Sequence, residues 1–192
     1  MRKYLLIVFL AAVQCMMYGV ERTDSVLFAA YLREDMGVWK NYVDHSLNPQ
    51  LLYAYGYCGY LTDRDKAHAL PYVKHFREQV EAAKGSLPKG HYEMYMSAVY
   101  VYELRLKESI HPVKAMNLAK EAVRLAPNDP LTLSYYGTCL FYAPKPFGSK
   151  QEALQWFLKA RTHFAEPKYH FCWAREANEM YIRQCREKLK KQ

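Results

Sequence analysis

Along most of this chain apolar residues recur every third or fourth position, and period-two alternation never lasts long enough to make a strand. That spacing predicts an all-helical protein. Prolines divide the pattern: Asn48-Pro49, His111-Pro112, Asp129-Pro130 and Glu166-Pro167 each read as a helix start, with proline at the first helical position where its missing N–H does no harm. Ser149 followed by Glu152 reads as a capping box. The resulting helices are expected near 24–46, 49–61, 65–84, 90–108, 112–125, 130–142, 150–164 and 167–189. Pro71 should kink the third or delay its start. Residues 90–108 are apolar around much of the helix, as suits a helix held between neighbours, and Glu103 and Lys107 are placed for an exposed i,i+4 pair. Short connections make consecutive helices antiparallel, so the expectation is a stack of helical hairpins.

The opening residues stand apart. Arg2 and Lys3 precede an apolar run from Leu5 to Val13, too short to span a membrane and suited to a signal peptide over residues 1–19. Cleavage after Cys15 or after Gly19 both fit imperfectly, and Gln14 is bulky for the residue before a lipid-bearing cysteine. The expectation is an exported, periplasmic or envelope-associated protein. Membrane contact is expected only through an uncleaved leader or a lipid anchor. Residues 20–192 then form a single domain, long enough to bury a core without a metal or a disulfide.

Composition adds two points. Tyrosine is abundant, 18 residues against 8 glycines, and serves both half-buried helix faces and binding surfaces. The formal net charge is +8, with seven Lys or Arg against three Glu from Pro167 onward. Export argues against nucleic acid, and a solvated basic helix end accounts for the excess. Beyond the leader remain Cys58, Cys139, Cys172 and Cys185, each among apolar residues at helical spacing; buried free thiols are expected, with disulfide pairing left open.

The stretch "AMNLAKEAVRLAPNDP" carries the most specific pattern. Ala115, Ala119 and Ala122 line one helix face, where small side chains admit a close neighbour, and Pro127 ends the helix. With Val99, Tyr102 and Leu106 before it and Leu133, Tyr136, Gly137 and Leu140 after it, the pattern resembles the tetratricopeptide repeat, a helix–turn–helix unit of 34 residues. Ala153, Phe157 and Ala160 continue the likeness after a longer turn, "FYAPKPFGSK". Leu52, Tyr55, Gly56 and Gly59, then Ala69, Val73 and Phe76, extend it upstream with a one-residue slip. That turn also looks like those of exported repeat proteins of Gram-negative bacteria.

The resemblance implies a right-handed superhelix of about three hairpins, 49–84, 90–126 and 130–165. The helix at 24–46 would cover one end and 167–189 would cap the other. It also implies a ligand groove along the first helix of each hairpin, lined by Gln50, Tyr53, Tyr57, Tyr60, Tyr100, Lys107, Ser134, Thr138 and Phe141. The alternative is that the helix at 24–46 folds over these tyrosines and buries them. Lys107, Asn117 and Arg124 do not form the basic clamp that some family members place on a peptide carboxylate.

No catalytic pattern is present. GxSxG, HExxH, HxxxH and phosphate-binding glycine loops are missing, and the histidine pairs 68/75 and 163/170 do not have metal-ligand spacing. Met94 and Met96 point to different helix faces. The expectation is a non-enzyme without cofactor or metal. As a scaffold it would bind another protein or a peptide segment of the bacterial envelope; as a small-ligand module it would bind a glycan or peptide.

Overall fold

A computed structural model describes residues 23–46, 50–108 and 111–191. The expected leader at 1–19 and the Asn48-Pro49 start lie outside them. Among the described residues there is no strand. The helices are α1 (23–32), α2 (Met36–His45), α3 (Leu51–Arg64), α4 (Lys66–Ala83), α5 (His91–Arg105), α6 (Pro112–Leu125), α7 (Pro130–Tyr142), α8 (Lys150–Phe164) and α9 (Trp173–Lys190). No helix among them is long and apolar enough to cross a membrane.

Three antiparallel hairpins, α3/α4, α5/α6 and α7/α8, stack in sequence, and α9 packs on α8 as the first helix of a fourth would. Each first helix also touches the next, α3 to α5, α5 to α7 and α7 to α9. These four therefore form one layer, running parallel because each is separated from the next by one antiparallel partner. The alanine face closes the second hairpin as expected: Ala119 and Ala122 are fully buried and Ala115 nearly so. At the start of α5 the approach is closer still. Gly90 has φ +80, and a β-carbon there would fall 2.5 Å from the Ala122 carbonyl oxygen, so only glycine fits.

Local capping sets both helix starts of the third hairpin. Asp129 accepts hydrogen bonds from the Leu131 and Thr132 N–H groups, each at 3.0 Å, and Ser149 Oγ accepts one from Glu152 N–H at 3.2 Å.

Four local expectations change. The segment 24–46 is two helices, because Glu34 takes φ 57 between them. Pro167 opens only a 3-10 turn, Pro167–Tyr169, and the last helix starts at Trp173. Pro71 does not delay α4, which starts at Lys66; proline is its sixth residue and removes the bond that position would make to the Ala67 carbonyl. Glu103 does not pair with Lys107, which lies beyond the helix end with φ 64; its two carboxylate oxygens each take Arg77 Nη2 at 2.7 Å, joining α4 to α5.

The N-terminal helices do more than cover an end. Trp39 donates its indole N–H to the Leu27 carbonyl at 2.8 Å, locking α2 to α1. The same indole lies 5.5 Å from Trp173 at the start of α9, Tyr31 lies 5.7 Å from Trp173, and Phe28 lies 6.1 Å from Phe171. On the other side Tyr53 and Gln50 of the first hairpin donate to Asp24. The N-terminal segment thus bridges the first hairpin and the last helix across the inner layer.

Candidate ligand-binding cleft

Each inner-layer helix turns one stripe of side chains toward a common cleft of about 980 Å³. From α3 the stripe is Leu52, Tyr55, Gly56, Gly59, Tyr60 and Asp63; from α5, Met94, Ala98, Val101, Tyr102 and Arg105. From α7 come Leu131, Ser134, Tyr135, Thr138, Cys139 and Tyr142, and from α9, Trp173, Ala174, Ala177, Met180, Tyr181 and Arg183. These are i, i+3, i+4, i+7 faces, so the same periodicity that builds the core also builds the wall of the cleft. Tyr31, Met36 and Trp39 of the N-terminal segment close one side. Ligand pockets commonly run from roughly 300 to 1,000 Å³, and this volume lies at the upper end. A second depression, along His111–Glu121, is walled by a single helix and lacks an opposing side.

The rings form two aromatic groups along the cleft. Tyr55 stacks on Tyr102 with centroids 6.1 Å apart and also meets Trp173 at 5.7 Å and Tyr135 at 6.0 Å. Tyr102 donates its hydroxyl hydrogen to the Tyr55 carbonyl at 3.0 Å, holding both rings in place. Tyr135 is fixed through Ser97, whose hydroxyl lies 2.9 Å from Tyr135 Oη and donates to the Ala115 carbonyl at 2.6 Å. At the far end Tyr142 lies at 88° to Tyr181, which stacks on Phe157. The indole N–H of Trp173 is buried without a hydrogen-bond partner.

Burial raises the ionisation of Tyr55, Tyr102, Tyr135 and Tyr181 above the ordinary phenol value and pushes the Cys139 thiol up to about 11. At neutral pH the cleft therefore presents O–H and S–H groups, not phenolates or a thiolate. Cys58, Cys139, Cys172 and Cys185 are all free, and burial raises each thiol, Cys58 to about 12. No cluster of metal ligands occurs among the described residues.

The groove residues expected from the repeat resemblance divide. Tyr60, Ser134 and Thr138 lie on the cleft. Tyr53 is buried between Trp39 and Tyr42, Tyr57 beneath Tyr60 and Tyr72, and Phe141 against Tyr181, so the rings of the first helix are partly covered by the N-terminal segment. Gln50 is exposed at the helix start, Tyr100 holds Arg77 and Lys114 over its ring at 5.0 and 4.5 Å, and Lys107 is exposed past the end of α5.

Sequence reasoning missed the contributions of α9 and the N-terminal segment. It also missed the arginines that close the inner helices. A signal was present: Arg64 and Arg105 each stand at the last position of an inner helix, and Arg183 in the third turn of α9.

No family model and no curated protein matches the chain. Among solved structures, the HusA haemophore from Porphyromonas gingivalis resembles it over 87% of this chain and 90% of that one, with a TM-score of 0.62 and 14% identity. At that identity the likeness shows a shared all-helical fold.

Proposed function

We propose that this is an exported small-ligand-binding helical protein that carries a flat, conjugated, largely apolar molecule of porphyrin size and does no chemistry on it. The observation that carries the reading is the cleft itself, about 980 Å³ bounded by four parallel helices and lined by stacked tyrosines, Trp173 and the thioethers of Met94 and Met180. Rigid aromatic faces contribute contact area with few rotors to freeze, and thioethers adapt to ring edges. The structural neighbour is named a haemophore, which supports a haem-like ligand. Export rests on the leader pattern at residues 1–19.

Titration of the mature chain with haemin and with protoporphyrin IX tests this, followed by the ligand's main absorption band and by tryptophan quenching. Saturation with a Kd of about 1 μM or below is expected, equivalent to roughly 8 kcal/mol. An unshifted band and unquenched emission at tens of micromolar ligand would overturn the proposal.

A protein partner retains one supporting observation. Leu32, Tyr60, Leu104 and Tyr142 are exposed apolar side chains around the mouth, of the kind that marks interaction surfaces. A partner that docks there would be captured by crosslinking and lost when Tyr60 and Leu104 are replaced by serine.

A further inference from the structure

The cleft is chemically polarised. Because α3, α5, α7 and α9 run parallel, the carboxyl-terminal turns of the first three gather at one end beside the third turn of α9, bringing together Asp63, Arg64, Arg105, Tyr142, Tyr181 and Arg183. The other end is the Tyr31–Trp39–Trp173 cluster, with Glu34 and Glu176 beside Tyr31. Cations at helix C-termini are favoured by the dipole, which explains why arginines occupy that end.

Arg105 is the cation at the centre. Its Nη1 donates to Asp63 Oδ1 at 2.6 Å, and its guanidinium lies 5.4 Å from the centre of the Tyr142 ring. The Arg105 side chain is 28% exposed while that of Asp63 is 59% exposed, so the arginine leans toward the cleft and its partner toward solvent. The arginine's charge reaches Tyr55, Tyr102, Cys139 and Tyr181, one group on each of the four inner helices. Arg64 and Arg183 flank it with no ion pair among the described residues. An exposed pair such as Asp63–Arg105 is screened and readily exchanged. A carboxylate arriving from inside the cleft would meet the same guanidinium in a drier setting, where the attraction is stronger.

Building on the small-ligand reading, we propose that the cleft selects a carboxylate-bearing ligand: the flat body lies along Tyr55 and Tyr102, and the carboxylate takes Arg105 in place of Asp63, with Arg64 and Arg183 adding positive charge. Glu34 and Glu176 repel the same group, which fixes the orientation of the bound ligand.

The test uses two probe pairs that share an aromatic body and differ in carrying a carboxylate: protoporphyrin IX with its dimethyl ester, and pyrenebutyrate with pyrenebutanol. Affinities are measured by fluorescence for the full mature chain and for Arg105→Gln and Asp63→Asn. In the unmodified chain each acid binds at least about tenfold tighter than its neutral counterpart, the size of one charge-assisted contact. Arg105→Gln removes that ratio, the acids losing more affinity than the neutral probes, and far-UV circular dichroism with the urea midpoint shows that the variant is folded. Asp63→Asn keeps or widens the ratio, because it frees the guanidinium. Equal binding of acid and neutral probes, or a ratio that survives Arg105→Gln, overturns the proposal. A carboxylate preference in the pyrene pair with no porphyrin binding upholds it while refuting the porphyrin reading. Failure of all four probes refutes both.

Discussion

Gly56 is where the first hairpin, the N-terminal segment and the last helix meet, and a single methyl group tests that junction. A β-carbon at Gly56 would fall 2.5 Å from Trp39 Cζ3 and 2.8 Å from Trp173 Cζ2. Carbon atoms pack at about 3.5–4.0 Å, so an alanine demands a displacement of roughly 1 Å from two buried indoles. Neither can move freely: Trp39 is tied to the Leu27 carbonyl and set against Tyr53, and Trp173 is set against Tyr31 and Tyr55. Overpacking of this kind costs about 1–3 kcal/mol. Replacing a helical glycine by alanine otherwise gains up to about 1 kcal/mol, so the clash must be read against a control. Gly37 supplies it, an exposed glycine in α2 whose β-carbon would meet only the Asp35 carboxylate at 3.3 Å. Gly56→Ala should be less stable than Gly37→Ala by about 1–3 kcal/mol in urea unfolding, or roughly 2–12 °C in Tm for a chain of this size. Its tryptophan emission should shift as the indole pair separates. Equal stability of the two variants, with unchanged emission, would refute the claim that the N-terminal segment is wedged against α9.

Other expectations follow from the same contacts. Ser97→Ala leaves the buried Tyr135 hydroxyl and the Ala115 carbonyl without their shared partner and should cost about 1–3 kcal/mol, with Tyr135→Phe recovering part of it in the double variant, as urea midpoints would show. Asp129 is opposed by burial, but His91 Nε2 at 3.2 Å and the N–H groups of Leu131 and Thr132 hold its carboxyl below the ordinary aspartate range. Its contribution is therefore present above about pH 4 and is lost as pH falls through the lower folded value; Asp129→Asn should flatten that fall in urea midpoints taken from pH 7 to 3. Cys58, Cys172 and Cys185 are buried with raised thiol values, so labelling at pH 8 should be slow in the native chain and fast in urea, with reductant leaving Tm unchanged. Ala177→Leu places a larger side chain on the cleft wall; stability should hold or rise by up to about 1 kcal/mol while ligand titration loses its saturable phase.

How much of this was legible can be traced to particular residues. The hairpins were, because Pro112, Pro130 and Ser149 each begin a helix and the Ala115–Ala119–Ala122 face is what a close neighbour needs. The break in 24–46 was not, since Glu34 adopts φ 57 under tertiary constraint and no glycine marks the turn. The cleft was half legible. Gly56, Ala98, Tyr135 and Ala177, one from each lining helix, follow at intervals longer than the 34 residues of the resembling repeat, so fixed-period bookkeeping drifts off the inner face on α3 and α5. It stays closest on α7, where Ser134 and Thr138 do line the cleft. The part played by α9 was hidden because the helix begins at Trp173 rather than Pro167, so Trp173 and Ala174 open it on the cleft.

The distribution of side-chain size across the inner helices bears on what the cleft is for. Facing it are Gly56 and Gly59 on α3, Ala98 on α5, Ser134 and Thr138 on α7, and Ala174 and Ala177 on α9. Away from it the same helices bury Leu61, Val99, Leu133, Phe141 and Ile182. Filling an apolar gap contributes about 25 cal/mol for each Å² removed from water, so a stack shaped by stability alone would carry leucine and valine on both faces. Small residues on each inner helix instead help keep the volume open, and Tyr55, Tyr102 and Trp173 stand at its walls as held, flat surfaces. A helix-on-helix contact would use small residues to draw backbones together, as Ala119 and Ala122 do under α5. On the cleft Gly56 does the same for the Trp39 and Trp173 indoles, while Ala98, Ser134, Thr138, Ala174 and Ala177 leave room. That contrast between two uses of the same residue types within one chain favours a bound molecule over a closed core.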